Sequence, residues 1–566
     1  MSDKREAVAK AIREGQNRAG VSNSVDTSQF DNLAQMFQHC VDRAKASPAT
    51  SCMGQTLSYQ NLDTLSAQFA CFLQQELGLK KGDRIAIQLP NILQYPVVLF
   101  GAIRAGMVVV NTNPLYSERE LEHQLNDSGA KAMVVLANIA EVAAAVVPRT
   151  GVKTVIVTEI ADLHASVKRL LINNVVKHVK KMVPKVSFAN ALGFRQALAK
   201  GRSGKFEAAD YAQEDLALLQ YTGGTTGVSK GAMISHGNLI ANVLQSKELF
   251  ESYGLKPTQE LFLAPLPLYH IYSFMLSFVV MMQGNHSVLI PNPRDLDSVI
   301  KEMKRWPWTG MSGINTLFVA LCNHPEFASL DFSRVKVTLS GGMALTAGAA
   351  KTWEEMTGTQ VYEGYGLTET SPVVSINPGG ANQVGTIGLP LPGTEIRIIA
   401  ENGEDCGIDE RGELCVRGPQ VMMGYWQRPD ETEKTIRSGW LHTGDVAIVR
   451  DDGYMRIVDR MKDMILVSGF NVYPNEIEDV LSSHPNIREC AAIGVPDEKS
   501  GEAVKIFVAA KQGDIDKEEL KAFLRERLTG YKMPRYIEVR DELPKTNVGK
   551  VLRRHLRDEE LAKKAS

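Results

Sequence analysis

A strand, a turn and a helix follow one another in residues 83–105, DRIAIQLPNILQYPVVLFGAIRA, and this order recurs along the chain. Further short apolar runs occur at residues 108–110, 132–136, 154–157, 335–339 and 394–399, and residues 118–125 have a helical pattern. Alternation of this kind is typical of parallel strands that are covered by helices. The sequence therefore predicts a layered α/β architecture.

Two changes in pattern divide the chain. From about residue 385, glycine, proline and short β-like runs dominate, which indicates a β-rich subdomain after the α/β part. After Arg460, helical patterns at residues 476–483 and 516–528 accompany β-like runs at residues 490–495 and 504–509. The polar segment 459–463 has the composition of an exposed joint. We therefore predict a large N-terminal domain over residues 1–461 and a small, mobile α+β C-terminal domain over residues 462–566.

Composition limits the partners and the compartment. The formal net charge of −2 on 566 residues gives no electrostatic reason to expect a nucleic acid partner. The 7 cysteines include no CxxC pair, which is typical of a reduced, cytoplasmic compartment. The first residues are charged and lack the apolar core of a signal peptide. Because no apolar run reaches the roughly 18 residues of a membrane span, we expect any membrane contact to be peripheral, at the inner face.

The segment 167–185, VKRLLINNVVKHVKKMVPK, has an unusual distribution of charge. Its apolar residues recur at helical spacing, and all its charged residues are basic: Lys168, Arg169, Lys177, Lys180, Lys181 and Lys185. A basic amphipathic helix can lie on an anionic bilayer surface. An ordinary surface helix with a solvated basic face would have the same pattern, so both interpretations stay open.

The segment Tyr221 to Gly231, YTGGTTGVSKG, has the composition of a phosphate-binding loop. Its glycines allow the backbone to turn tightly and to approach a ligand closely. Backbone N–H groups, several hydroxyls and Lys230 together suit a polyphosphate. The segment is not a Walker A loop, because the order Ser229-Lys230-Gly231 does not fit the pattern G-x-x-x-x-G-K-[ST]. A purely structural glycine turn is the alternative.

Further motifs follow this loop in a fixed order. They are LPLYH (266–270), SGGM (340–343), YGLTET (365–370), GWLHTGD (439–445), DRMKD (459–463) and PKTNVGK (544–550). Together with the loop, this ordered set resembles the AMP-forming acyl-adenylate superfamily. The resemblance implies an enzyme that joins a carboxylic acid to AMP, using ATP as a substrate.

The resemblance also implies roles for individual residues. The phosphates of ATP would be bound by Tyr221, Thr222, Gly223, Gly224, Thr225, Thr226, Gly227, Val228, Ser229, Lys230, Gly231 and Ala232. Adenine and ribose would be bound by Gly341, Gly342, Met343, Tyr365, Gly366, Asp445 and Arg460. Thr368 would contact the α-phosphate, and Glu369 would ligate Mg²⁺, which prefers oxygen ligands. Outside this context, Thr368 and Glu369 would suit a helix cap, and Asp445 a turn.

The resemblance further implies that Lys550, in the last motif, lies at the reaction centre. Adenylation joins two anions, so a cation there stabilises the transition state most. Several neighbouring residues are also basic, and the motif spacing singles out Lys550. The resemblance places a domain hinge at Lys462. After rotation about it, Ser468, Gly469 and Phe470 would face the thiol of coenzyme A. His270 would lie near the acyl group, in a catalytic or a pocket-shaping role.

Within the superfamily, residues 439–481 and the segment LPLYHIYSF resemble bacterial long-chain fatty-acid–CoA ligases. This implies conversion of a fatty acid to acyl-AMP and then to acyl-CoA, with release of pyrophosphate and AMP. A ligase for medium-chain or aryl acids is the first alternative. A catalytically inactive nucleotide-binding membrane adaptor is the second, although Glu369, Asp445 and Lys550 are all present. The sequence leaves chain-length preference open, as well as whether the chain forms a homodimer.

Overall fold

The computed structural model describes residues 2–222, 229–497, 499–546 and 549–565. Helices and strands alternate over the first two hundred or so residues, as the apolar runs predict. They are α1 (Asp3–Arg18), α2 (Leu33–Ala44), β1 (Pro48–Cys52), β2 (Gln55–Ser58), α3 (Tyr59–Cys71), β3 (Arg84–Gln88), α4 (Gln94–Ala105), β4 (Val108–Asn111), α5 (Glu118–Ser128), β5 (Ala132–Leu136), α6 (Ala140–Val146), β6 (Thr154–Thr158), α7 (Ser166–Asn174), β7 (Ala191–Gly193) and α8 (Phe194–Gly201).

The alternation continues through the middle of the chain. Its elements are β8 (Leu216–Thr222), β9 (Lys230–Ser235), α9 (His236–Ser252), β10 (Leu261–Ala264), α10 (Ile271–Met282), β11 (His286–Leu289), α11 (Leu296–Arg305), β12 (Gly310–Gly313), α12 (Asn315–Cys322), β13 (Val337–Ser340), α13 (Ala347–Thr357), β14 (Val361–Gly366), β15 (Val373–Ile376) and β16 (Leu389–Pro390).

Strands dominate the next part, and a mixed α+β part ends the chain. The former contains β17 (Glu395–Ile399), β18 (Gly412–Arg417), β19 (Gly424–Tyr425), α14 (Pro429–Thr435), β20 (Ile436–Arg437), β21 (Trp440–Val449) and β22 (Met455–Arg460). The latter contains β23 (Ile465–Val467), β24 (Phe470–Val472), α15 (Pro474–Ser482), β25 (Ile487–Asp497), β26 (Gly501–Ala510), α16 (Lys517–Arg525), β27 (Tyr536–Val539) and α17 (Arg553–Ala565).

Two large sheets form the body of the molecule. One has the strand order β19-β9-β8-β4-β3-β5-β6-β7, and the other has β16-β15-β14-β13-β12-β10-β11-β1-β2. The inner strands of both sheets pair in parallel. Such strands are covered on both faces and are therefore apolar throughout, as in β5, where every residue is buried. Helices α3, α4, α9 and α10 contribute to one continuous apolar core with strands of both sheets.

Two smaller sheets complete the fold. The antiparallel order β17-β18-β21-β20, with β22 on β21, forms the predicted β-rich subdomain. The last sheet, β24-β23-β26-β25 with β27 on β26, has apolar cores of its own with α15, α16 and α17. The predicted α/β class with a smaller C-terminal domain is confirmed. The turn Met461–Asp463 joins β22 to β23, and the boundary between residues 461 and 462 stays a prediction.

The basic segment departs from the predicted helix over residues 167–185. Helix α7 continues only as a wider turn, Val175–Val179, and the residues beyond it are not helical. Lys181 has a φ of 52°, a left-handed conformation that a helix does not continue through. Among the described residues, no helix is both long and apolar enough to cross a membrane.

Candidate active site

A cleft of about 2740 Å³ collects most of the residues predicted to form a site. It lies at the carboxyl ends of β13 and β14, beside the β8–β9 hairpin, and extends to β21, β22 and the C-terminal part of the chain. The predicted residues that line it are Tyr221, Thr222, Lys230, His270, Gly341, Gly342, Met343, Tyr365, Gly366, Thr368, Glu369, Asp445, Arg460, Lys462 and Lys550. The fold thus brings together residues from motifs far apart in the sequence.

The β8–β9 hairpin carries both ends of the predicted phosphate loop. Tyr221 pairs with Gly231, and Thr222 pairs with Lys230. A Cβ atom on Gly231 would lie 3.2 Å from the Tyr221 ring, so glycine allows this close approach. The intervening loop residues Gly223, Gly224, Thr225, Thr226, Gly227 and Val228 lie outside the described residues.

The flanks of the loop also hold the hairpin in place. The Tyr221 hydroxyl donates to the Asp127 carboxylate at 2.7 Å, and the Ser229 carbonyl lies 2.8 Å from His123 Nε2. Ala232 is fully buried and packs against Tyr425. Within the described part of the chain, Ser229, Gly231 and Ala232 do not line the cleft, so their contact with phosphate stays a prediction.

The predicted adenine site lies where two neighbouring parallel strands end. Gly341, Gly342 and Met343 follow β13, and Tyr365 and Gly366 end β14. Gly342 has a φ of 79°, which glycine adopts without strain. Gly341 and Gly342 thus follow the end of a strand and also line the cleft, and their contact with adenine stays a prediction.

A buried carboxylate stands opposite these glycines. Asp445 on β21 is 4% exposed, and its carboxylate accepts a 2.6 Å hydrogen bond from the Tyr365 hydroxyl. Arg460 Nε lies 3.0 Å from the other carboxylate oxygen, because Asp445 and Arg460 are cross-strand partners in β21 and β22. Asp445 raises the pKa of Arg460, so the guanidinium stays charged. A carboxylate held in this way can accept hydrogen bonds from ribose hydroxyls.

The turn before Asp445 is fixed by Glu413 on β18. Glu413 Oε1 accepts from the backbone N–H of Gly444 at 3.1 Å, and Oε2 lies 2.7 Å from His442 Nδ1. The Thr443 hydroxyl donates to the Leu414 carbonyl at 2.7 Å. These contacts hold the backbone that presents Asp445 to the cleft.

Thr368 and Glu369 lie in a short 3-10 turn, Thr368–Thr370, after β14. Glu369 Oε1 accepts a 2.6 Å hydrogen bond from the Tyr425 hydroxyl, and its backbone carbonyl accepts from Met422 N at 2.8 Å. A single carboxylate beside the predicted phosphate site would fit Mg²⁺, which commonly takes one or two carboxylates and completes its shell with phosphate and water. The helix-cap interpretation of Thr368 does not apply, because it lies inside the turn.

Lys550 reaches the cleft from the C-terminal part of the chain. Gly549 has a φ of 85°, and a Cβ atom there would lie 2.6 Å from the Thr316 hydroxyl on α12. Gly549 therefore lies against the large domain. Burial, followed by the charges of Arg460 and Arg553, lowers the pKa of Lys550 to about 8. The side chain still meets solvent inside the cleft.

The basic residues near Lys550 in the sequence form ion pairs with carboxylates of the C-terminal part of the chain and of β22. Arg553 Nε donates to Glu478 at 2.9 Å, and its Nη1 lies 3.2 Å from carboxylate oxygens of both Asp459 and Asp463. Lys545 Nζ lies 2.6 Å from Glu489. Among the described residues, Lys550 makes no comparable ion pair, which separates it from the generally basic tail.

Three predicted residues lie apart from the cleft. Ser468, Gly469 and Phe470 form the turn between β23 and β24, and they do not line the cleft in the described structure. Phe470 is half exposed and stacks on Tyr531, with ring centroids 4.8 Å apart. Their role toward coenzyme A stays a prediction, since it requires a second domain arrangement.

His270 and Lys462 both line the cleft. His270 is the N-cap of α10, where its Nδ1 accepts from Tyr272 N at 3.4 Å. Burial lowers the pKa of His270 to about 4, so its ring is neutral near pH 7. The pKa of Lys462 is lowered by burial and by Arg460.

Many residues of the cleft were not predicted from the sequence, and four of them hold or adjoin predicted site residues. Tyr425 contacts Glu369, Glu431 pairs with Lys230, Glu413 fixes the Asp445 turn, and Tyr272 lies beside Gly341. Only the GYW triplet at residues 424–426 offered a signal, since aromatic residues beside glycine often line ligand sites. The other contacts depend on tertiary structure.

The fold and the cleft define a class of protein, and the chain belongs to the AMP-binding enzyme family. The model of that family matches residues 37–426, and the model of the AMP-binding enzyme C-terminal domain matches residues 476–550. The predicted superfamily is therefore confirmed.

Individual relatives extend over nearly the whole chain. The long-chain-fatty-acid–CoA ligase of Escherichia coli O157:H7 is 50% identical over 545 residues, which is 96% of this chain and 97% of that protein. The enzyme of the same name from Bacillus subtilis (strain 168) is 38% identical over 518 residues, covering 90% and 91%. The crystal structure of the anthranilate CoA ligase AuaEII in complex with anthranoyl-AMP has a TM-score of 0.85 at 24% identity, covering 96% and 100%.

Proposed function

We propose that this protein is a long-chain fatty-acid–CoA ligase that works in two half-reactions. In the first, a carboxylate oxygen of the fatty acid attacks the α-phosphorus of ATP, and pyrophosphate leaves. In the second, the thiol sulfur of coenzyme A attacks the acyl carbonyl carbon, AMP leaves, and the thiol proton is released. The observation that carries the proposal is the position of Lys550, which enters the same cleft as Thr368, Glu369 and Asp445.

Each of these groups has a definite task in the first half-reaction. Asp445 accepts from the ribose hydroxyls and Thr368 donates to the α-phosphate, so the nucleotide is held at both ends of that phosphate. Lys550 stabilises the negative charge that builds up as the two anions join. Lys230 binds the departing pyrophosphate. Glu369 would hold Mg²⁺, which neutralises phosphate charge when it is bound.

The second half-reaction requires a different group at the same centre. We propose that residues 462–566 rotate about Lys462, which withdraws Lys550 and brings Ser468, Gly469 and Phe470 toward the thiol of coenzyme A. In the present arrangement of the described residues, Ser468, Gly469 and Phe470 do not line the cleft, so a movement of this kind would be needed to bring them to it.

The relatives support a long-chain acid as the substrate. Identity of 50% extends over 96% of this chain to a long-chain-fatty-acid–CoA ligase. The anthranilate CoA ligase AuaEII, which has a similar fold, is only 24% identical in sequence. Its likeness supports the fold and not the substrate. A ligase for medium-chain or aryl acids and an inactive adaptor, the alternatives from the sequence, serve as the contrasting outcomes of the test.

A pyrophosphate-release assay across acids of rising chain length tests this proposal. We expect ATP-dependent and coenzyme A-dependent turnover, with an optimum among long-chain acids. An optimum with aryl or medium-chain acids would support the alternative ligase. If no acid caused pyrophosphate release, the adaptor would be favoured and the enzyme would be rejected.

We also propose that the protein contacts the anionic inner face of the membrane through residues 167–185. The apolar side chains of this segment face outward: six of them are between 42% and 74% exposed, namely Val167, Leu170, Leu171, Val175, Val179 and Met182. An ordinary surface helix buries its apolar stripe, and α7 has no buried residue. An outward apolar stripe next to basic residues suits an interfacial helix.

The inner side of α7 is held by polar contacts. Lys168 Nζ donates to the carbonyls of Met53 and Gly54, at 2.9 and 3.3 Å, and Asn173 donates to Glu159 at 2.8 Å. Lys168 is therefore committed to the protein. The exposed lysines of the segment, which remain for lipid headgroups, are Lys177, Lys180, Lys181 and Lys185.

Cosedimentation with vesicles tests the membrane proposal. Replacing Leu170 and Leu171 with Ser should weaken binding to phosphatidylglycerol vesicles by about tenfold or more, since two exposed apolar side chains lose their burial in lipid. Leu561→Ser is the matched control, because Leu561 is 54% exposed on α17. Activity on a water-soluble acid should not change. Unaltered vesicle binding by the double variant would refute the proposal.

A further inference from the structure

Lys230, the cation of the phosphate loop, is held by a carboxylate. Its Nζ lies 2.8 Å from Oε2 of Glu431 on α14. Lys434 Nζ lies 3.1 Å from the other oxygen, Oε1, of the same carboxylate. All three residues line the cleft. Glu431 is separated from Lys230 by 201 positions in the sequence, so only the fold brings them together.

The same contacts extend to the predicted magnesium ligand. Lys230 Nζ lies 4.5 Å from the centroid of the Tyr425 ring. At this distance the face of the ring attracts the ammonium group through a cation–π interaction. The hydroxyl of that ring donates to Glu369 at 2.6 Å. Two groups assigned to the triphosphate and its metal are therefore engaged by protein partners, Lys230 by Glu431 and Glu369 by Tyr425.

An ammonium group engaged in this way must exchange partners when phosphate arrives. A phosphate oxygen competes with Glu431 Oε2 for Lys230, and the carboxylate adds like charge next to the polyphosphate. The departing Lys230 does not leave Glu431 unpaired, because Lys434 stays bound to Oε1. Both Glu431 and Lys230 are partly exposed, with side chains 38% and 28% accessible, so the competition is screened and moderate.

We propose that Glu431 is a positioning residue that sets the affinity for polyphosphate, holding Lys230 when no phosphate is bound and recapturing it as pyrophosphate leaves. The inference rests on the proposed function, since it takes MgATP and pyrophosphate as the ligands of Lys230. It predicts that Glu431 weakens the binding of both MgATP and pyrophosphate, and that it thereby favours the release of pyrophosphate. AMP lacks the phosphates that reach Lys230, so its binding should be independent of Glu431.

Calorimetric titration of the full-length protein with MgATP, magnesium pyrophosphate and AMP tests this inference. Glu431→Gln should lower the Kd of MgATP and of magnesium pyrophosphate by about two- to tenfold, and leave that of AMP unchanged. Glu433→Gln is the matched control, because Glu433 is an exposed carboxylate on the same helix. This substitution removes the same charge as Glu431→Gln. We expect this control to bind all three ligands like the unmodified protein.

A double variant separates partner exchange from simple repulsion. In a Lys230→Ala background, Glu431→Gln should no longer tighten MgATP binding, because there is no lysine to release. Equal tightening with and without Lys230, tightening of AMP as well, or weaker MgATP binding in Glu431→Gln would each overturn the inference. If the unmodified protein bound no MgATP, the proposed function itself would fail and the inference with it.

Discussion

Raising the pH from 7 to 9 should remove the charge of Lys550 and with it most of the adenylation activity. Burial and two nearby arginines lower the pKa of Lys550 from 10.5 to about 8. The charged form is therefore present below that pH and lost above it. With a pKa of about 8, roughly nine-tenths of the molecules carry the charge at pH 7 and roughly one-tenth at pH 9. The first half-reaction should fall about tenfold over this range.

The assay is pyrophosphate release in the absence of coenzyme A, where each site reacts once, so it is followed in single turnovers. The second-order rate constant at low ATP takes the place of kcat/KM for ATP, and the limiting rate constant at saturating ATP takes the place of kcat. The second-order rate constant reports the pKa of the free enzyme, whereas the limiting rate constant reports that of the enzyme with substrate bound. Bound ATP brings negative charge close to Lys550 and raises its pKa. The decline in the limiting rate constant should therefore occur at higher pH than the decline in the second-order rate constant.

Lys550→Arg is the matched variant, because a guanidinium keeps its charge throughout this range. Its activity should be lower than that of the unmodified protein, because the planar guanidinium differs in shape from an ammonium group. This activity should not decline between pH 7 and 9. A pH-independent second-order rate constant in the unmodified protein, or the same decline in Lys550→Arg, would refute the assignment of the titration to Lys550.

Two further substitutions test the cleft. Lys550→Ala should reduce acyl-AMP formation by about 10²- to 10³-fold, yet largely spare thioester formation from pre-made acyl-AMP; equal losses in both half-reactions, measured separately, would contradict the two-state hypothesis. Gly549→Ala should slow adenylation about tenfold, because its Cβ would lie 2.6 Å from the Thr316 hydroxyl. Gly513→Ala, also at positive φ but facing open space, is its control, and equal effects of the two on adenylation would argue against docking at Thr316.

Much of the site follows from local sequence. The glycines and hydroxyls between Tyr221 and Gly231 indicate a phosphate loop, because backbone freedom and donor groups are properties of the residues themselves. The resemblance that the ordered motifs carry implies that Lys550, Glu369 and Asp445 take part in one reaction. The alternating apolar runs likewise predict the parallel sheets, since a strand buried on both faces must be apolar throughout.

Tertiary structure decided which partner each of these groups meets. Asp445 meets Tyr365, which is 80 positions away, and Lys230 meets Glu431, which is 201 positions away. The helical spacing in α7 predicts an apolar stripe but not its direction. That direction depends on contacts such as Lys168 with Met53, which hold the polar side inward. Spacing along a chain is a local property, whereas packing between distant segments decides which surface each side chain faces. The lowered pKa of Lys550 and the outward direction of the apolar stripe of α7 therefore depend on the tertiary structure.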